Sequence, residues 1–178
     1  MKTILMPTDG STAAEKALDL ALDLAQQHGA SLKILHVLLR DKEPWELLRL
    51  PEMADADPEL VSALKEMEQA PAVPHMAEEI MANPNAADRP VPDSMLHAIG
   101  GHVIARAVGR AQKRGVMADA LDIADTGTAS AILHAAKEAR ADTIVMGMRG
   151  LRQIDAITFG SVSQEVCRLA PCTCVAVH

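Results

Sequence analysis

Residues 142–163 constrain the fold more than any other stretch. Ile144, Val145 and Met146 form a short apolar run of the kind a parallel strand buried on both faces requires. Gly147 and Gly150 follow where the chain must turn out of the sheet. The loop closes at Gly160-Ser161, and Ser161 with Gln164 three residues on reads as a capping box, so a helix is predicted to start there. This order is what an anion site needs, because the first amides of a helix lack internal acceptors and attract phosphate. Gly147 and Gly160 are expected to let a ligand approach the backbone, with Ser161 and Ser163 adding hydroxyl donors beside the amides, that of Val162 among them.

The rest of the chain alternates in the same way. Lys2–Met6 is an apolar strand stopped by Pro7, Thr8 to Ser11 is a turn, and Thr12 with Glu15 offers a capping box for a helix. Ala14, Leu18, Ala21, Leu22 and Ala25 recur at helical spacing until His28-Gly29 ends it. Leu32–Leu38 is a second strand, and this βαβ unit, crossing over right-handed, sets the two strands side by side in parallel. Further on, the pattern predicts a helix over 94–113, a strand over Met117–Ile123 and a helix from Thr128 to Ala139 with Thr128 as its cap. Ile132, Leu133, Ala136 and Ala139 form the buried stripe of that last helix, and His134 lies outside it. The strand at 143–147, a helix ending at Leu169 and a strand over Thr173–Val177 complete an α/β chain of five strands, a doubly wound parallel sheet in one domain spanning 1–178.

Residues 41–92 break the alternation. Eight of the ten prolines fall there, with twelve acidic residues against four basic ones, so the segment carries −8 and the remainder of the chain +1, for a net charge of −7. Pro44, Pro58 and Pro74 each precede helix-forming residues, and proline is well tolerated in a first helical turn, so two or three short helices are expected. Met53, Met67, Met76 and Met81 suit either ordinary packing or an adaptable contact surface. The insertion is expected to be a helical cover over a ligand crevice or a partner surface, outside the core, with Trp45 as its own fluorescent reporter.

The glycine spacing, Gly147, two residues, Gly150, nine residues, then Gly160-Ser161, resembles that of the nucleotide-binding members of the universal stress protein family. Ile-Leu-Met-Pro-Thr-Asp-Gly-Ser at 4–11, Leu35-His36-Val37 and Ala170-Pro171-Cys172 look like the family's other landmarks. The resemblance covers 2–38 and 95–177 and leaves out 41–92. It implies the adenine-nucleotide alpha-hydrolase-like fold, strand order 3-2-1-4-5, which makes strands one and four neighbours at a topological switch point. Asp9 and Gly147 then sit at the two strand ends that flank the crevice. The resemblance also implies ATP, with Mg2+ or Mn2+, as the ligand. Amides at Gly150 and at Gly160, Ser161, Val162 and Ser163 would take the phosphates; Asp9, with Pro7 and Thr8 beside it, would face the adenosine; and Val37 would lie along the adenine, with Met146, Gly147 and Arg149 completing the site. Asp9 is equally suited to a turn or cap. Met148 stands where a small polar residue is frequent in the family.

Composition narrows the partners. The net charge of −7 argues against a nucleic-acid or anionic-membrane surface, and aromatic residues at 1% leave little for stacking on single strands. Arg149 and Arg152 are the basic side chains near the loop. No apolar run approaches the length of a membrane span and no leader pattern opens the sequence, so a cytoplasmic protein is expected. Cys167, Cys172 and Cys174 are too few and too crowded for a disulfide framework, and with His178 they lack an evident fourth metal ligand.

No phosphate loop of the Gly-x-x-x-x-Gly-Lys type and no nucleotidyl-transferase signature is present. His36 reads as structural, and nothing selects Asp125 or Asp155 as a base. The leading expectation is therefore an ATP-binding regulatory protein, not an enzyme, that signals to a protein partner and dimerises through the strand at 173–177. Its alternatives are an interaction protein of the same fold without nucleotide, and a slow ATPase drawing catalytic groups from 41–92.

Overall fold

Ile4, Leu5 and Met6 are wholly buried, as are Ile144 and Val145, so the two strands that carry them need a covering layer on each face. The computed structural model describes residues 1–69, 91–125, 127–148 and 160–178. Strands β1 (Thr3–Pro7), β2 (Ser31–Leu35), β3 (Ala118–Ala120), β4 (Thr143–Gly147) and β5 (Thr173–Val177) form one sheet in the order β3-β2-β1-β4-β5, as the resemblance implies. Every pairing is parallel.

Helices α1 (Thr12–His28) and α4 (Asp93–Lys113) cover one face, where Leu18, Leu22, Ala107 and Ala111 pack on Ile4, Met6, Ile34 and Val145. Helices α5 (Thr128–Glu138) and α6 (Ser161–Leu169) cover the other, where Ile132, Ala136 and Val166 meet Leu5, Leu35, Ile144 and Met146. Helix α1 forms because its small and aliphatic residues recur on one side, and it stops where Gly29, at φ 60°, takes the left-handed turn that L side chains resist. The carboxylate of Asp142 accepts the amides of Lys2 (2.6 Å) and Thr3 (2.9 Å), which aligns the start of β1 against β4 and holds that carboxyl below its ordinary range.

Several sequence expectations shift. The cap of α1 is Ser11, whose Oγ accepts the Ala14 amide at 3.2 Å, in place of Thr12; Ser11 has the extended backbone a cap requires. Gly127, not Thr128, precedes α5, and the buried residues of that helix are Ala129, Ala131, Ile132, Ala135 and Ala136; Leu133 is half-buried and Ala139 lies past the end. The strands expected at Leu32–Leu38 and Met117–Ile123 are shorter. Beyond Leu35 only an isolated bridge, Val37 to Ala124, continues the pairing, because Asp122 is exposed and Ile123 turns toward α4.

The insertion corrects its expectation most. Helices α2 (Pro44–Leu47) and α3 (Pro58–Gln69), with a 3-10 turn at Pro51–Ala54, do begin at prolines. They are not a detached cover. Leu38, Leu39, Leu47, Leu50, Met53, Leu64 and Val91 form a third buried cluster with Leu96, Ile99 and Val103 of α4. An apolar face on α4 that the sheet does not reach is thus closed by the insertion. Pro74, Met76 and Met81 lie outside the described residues. Arg40, where the chain leaves the sheet, bonds Asp125 (2.7 Å) and pairs with Asp93 at the start of α4, fixing both ends of the excursion. The guanidinium lowers both carboxyl pKa values.

His36 joins the insertion side to the crevice side. It is 1% exposed; its Nδ1 donates to Thr8 O at 2.9 Å, since a carbonyl can only accept, and Nε2 finds no partner. The ring lies under Gly100 of α4, where an added Cβ would stand 2.7 Å from Cδ2. Burial pushes the imidazole pKa down, outweighing the opposite pulls of Thr8 O and Asp9, and His97 adds to the lowering.

Two outcomes test this account. Leu64→Ala should lower unfolding free energy by about 2–5 kcal/mol, measured from urea midpoints, as for a fully buried leucine. If the segment were a detached cover, the midpoint would not move. For His36, the unfolded ring protonates near pH 6.5 while the folded ring resists it, so the unfolded state binds more protons below that pH. Stability should therefore be full above pH 6.5 and fall as pH drops below it, and His36→Asn should flatten that part of the profile in thermal melts.

Candidate functional site

The β1–β4 ladder pairs Ile4 with Thr143 and Leu5 with Ile144, and both strands then run on, to Pro7 and to Gly147. Pro7 has no N–H to offer β4. Past that point the chain turns from β1 into α1 on one face and from β4 toward α6 on the other, which opens a crevice outside the carboxyl ends of the strands.

The β1 side of the crevice is a tight turn. Thr8 N–H bonds Leu35 O (2.8 Å), Thr8 Oγ1 accepts the Gly10 amide (3.2 Å) and Asp9 Oδ1 accepts the Ser11 amide (3.0 Å). Gly10 has φ 78°, a conformation suited to glycine. Asp9 is therefore a turn residue, half-buried, with its carboxylate at the mouth of α1. His36 holds the Thr8 carbonyl from below. Pro7, Val37 and Met146 are buried; Val37 and Met146 share the cluster under α5 and α6, so they would present backbone and an apolar wall more than free side chains.

On the β4 side, the residue after β4 and the start of α6 are stitched together. Met148 N–H bonds Val177 O (2.7 Å), and Met148 O accepts both the Gly160 amide (2.9 Å) and the Ser163 hydroxyl (2.8 Å), which also lies 2.9 Å from Gly160 O. Gly160 occupies the cap position of α6 and Ser161 is its first, exposed, helical residue, so the expected Ser161–Gln164 capping box does not form. Gln164 N–H closes onto Gly160 O at 3.0 Å, and the amides before it belong to the turn whose N–H groups have no intrahelical acceptor. Arg149, Gly150, Arg152 and Asp155 lie outside the described residues.

Gly147, expected to let a ligand approach, has a packing role as well: an added Cβ there would stand 3.0 Å from Ala13 C and Ala14 N, so the glycine lets α1 pack against β4. Ser163, expected as a free donor, is 2% exposed and closes the loop by donating to backbone carbonyls. Asp125 is tied to Arg40, which makes it a weak base. Gly100, a glycine inside a helical pattern, is itself a sequence signal of the close approach to His36.

The model of the family described as "Universal stress protein family" matches residues 1–178, so the match runs through 41–92, which the landmarks had left out. A curated universal stress protein of Thermus aquaticus is 29% identical over an alignment of length 189, covering 99% of this chain and 98% of its own. Among solved structures, universal stress protein UspA from Lactobacillus plantarum has a TM-score of 0.62 at 21% identity, covering 99% of this chain and 97% of its own. The universal stress protein from Archaeoglobus fulgidus, solved in complex with dAMP, has a TM-score of 0.59 at 17% identity, covering 100% and 98%. Two others, at TM-scores of 0.55 and 0.56, were solved with cAMP and, from Arabidopsis thaliana, with AMP. With its full length matched and its sheet in the order that brings β1 beside β4, the chain belongs to the universal stress protein family.

Proposed function

We propose that this chain binds an adenine nucleotide, ATP with Mg2+ or Mn2+, in the crevice between β1 and β4, and acts as a cytoplasmic stress-response regulator whose nucleotide state is read by a protein partner. One observation carries the reading. The turn after β1 and the start of α6, far apart in sequence, flank the same crevice at the switch point, and the loop joining β4 to α6 is closed at its base by Met148, Gly160 and Ser163. The nucleotides held by relatives of the same fold support it.

In this reading the amides of Ser161, Val162 and Ser163, with those of the loop at Gly150, take the phosphates, favoured by the positive end of the α6 dipole. Asp9 faces the ribose side, and the main chain at Thr8 and Val37 borders the adenine. The cation arrives with the phosphates. Catalysis is not assigned, because His36 is sealed in the core and Asp125 is held as a weak base.

A second reading, an interaction protein of the same fold without nucleotide, draws on the bonds already made by Asp9 and Ser163. Equilibrium titration with ATP and Mg2+ separates the two. Gly160 has φ −63° and ψ 146°, a backbone that valine also adopts, so Gly160→Val should fold normally. It should nonetheless weaken ATP binding at least tenfold, about 1.4 kcal/mol or more, by placing a branched Cβ before the amides. A folded variant with unchanged affinity would remove the phosphates from this helix.

The same proposal includes a homodimer through β5. It is an edge strand by sheet order, and its residues Cys174 to Val177 are half-exposed in the single chain. Such an edge pairs readily with its own copy. Sedimentation at micromolar concentration should show a dimer, and Val175→Pro, which removes one ladder donor, should shift it toward monomer. A wild-type monomer, or a dimer indifferent to the proline, would place any interface elsewhere.

A further inference from the structure

The last turn of α6 and the second residue of β5 bring two sulfurs together. Cys167 Sγ and Cys174 Sγ are 2.8 Å apart, under an ångström longer than an S–S bond of about 2.0 Å. Both are free thiols, Cys167 exposed and Cys174 half-buried. The contact follows from the fold: Ala170-Pro171-Cys172 carries the chain from α6 straight back into β5, and strand alternation turns Cys174 to the α6 side while Val175 and Val177 pack under α1. Cys172 shares that cluster, but the sulfur that meets Cys167 is that of Cys174.

We propose that Cys167 and Cys174 are a peroxide-reactive pair that closes reversibly into a disulfide, stapling α6 to the edge strand. Exposed Cys167 is the sulfur an oxidant reaches first. As thiolate it attacks one oxygen of hydrogen peroxide; the S–O bond forms, the O–O bond breaks, and the departing hydroxide is protonated to water, leaving a sulfenic acid. The sulfur of Cys174 then attacks that of Cys167; the S–S bond forms, the S–O bond breaks, and hydroxide leaves with the Cys174 proton as a second water. Two thiols lose two electrons and two protons, and the peroxide is reduced to two waters. Burial and the Cys167 contact push the Cys174 thiol up to about 12, which keeps it protonated while Cys167 reacts; its part in closing the bond rests on its position beside the Cys167 sulfur. No step depends on nucleotide binding.

The sequence supplies a direct readout, because trypsin cutting after Arg168 separates Cys167 from Cys172 and Cys174. After brief treatment of the reduced full-length protein with hydrogen peroxide, reactive thiols should fall from three to one. The chain should lose two hydrogen atoms in mass and remain a single chain on non-reducing gels. Peptides 153–168 and 169–178 should be joined until dithiothreitol is added. Cys172→Ser should crosslink like the wild type, whereas Cys174→Ser should stop at a sulfenic acid trapped by dimedone. Crosslinking through Cys172 at an equal rate, chain-to-chain disulfides alone, or oxidation of Cys167 past sulfenic acid without a crosslink would each overturn the pairing.

Discussion

The burial of β1 and β4 on both faces is the constraint from which the rest follows. Strands without a polar face need helices on either side, and a parallel sheet admits them only through right-handed crossovers. The chain from β1 must therefore leave toward α1 and the chain from β4 toward α6, on opposite faces. Two adjacent strands whose continuations part company leave an opening above their carboxyl ends. That opening is a by-product of covering the core, and Gly147 shows how closely the two are linked. Its missing side chain lets α1 seat against β4, and the same seating places the mouth of α1 and its Asp9–Ser11 turn at the crevice.

The walls of that crevice are set by bonds made behind it. On one side a buried His36 supports the Thr8 carbonyl, and α4 comes near enough to shield the ring only because residue 100 is glycine. On the other, Ser163 spends its hydroxyl on the base of the loop. Both arrangements fix backbone positions on the two sides of the crevice. The acidic insertion bears on this indirectly: by closing the apolar side of α4 with Leu47 and Leu64, it holds the helix that holds His36.

Charge places the helices relative to one another. Arg106 and Arg110 on α4, with Arg114 just past its end, meet Glu15, Asp19 and Asp23 on α1, each set spaced by four residues and so lying along one flank. Those with an exposed partner, Arg110–Asp19 and Arg114–Asp23, contribute roughly 0–1 kcal/mol each, so their effect is on register more than on stability. Arg40 does the same at the root of the insertion, between Asp93 and Asp125.

Much of this was legible in the sequence, because apolar runs, helical spacing and proline positions are local properties. They gave the strands, the helices and the prolines that open α2 and α3, and the spaced glycines with the landmarks around them pointed to the family and the strand order. Capping was read one residue off at Ser11 and at Gly127, since neighbouring residues can each look like a cap and only backbone angles decide between them. The sequence by itself determined an alternating α/β chain with spaced glycines between its fourth strand and its last helix. Tertiary structure alone decided that Gly147 serves helix packing, that Ser163 faces inward, that the insertion encloses a core cluster with α4, and that Cys167 meets Cys174 and not Cys172. Each of these depends on which distant surface arrives opposite a residue, and that is fixed only when all the layers close together.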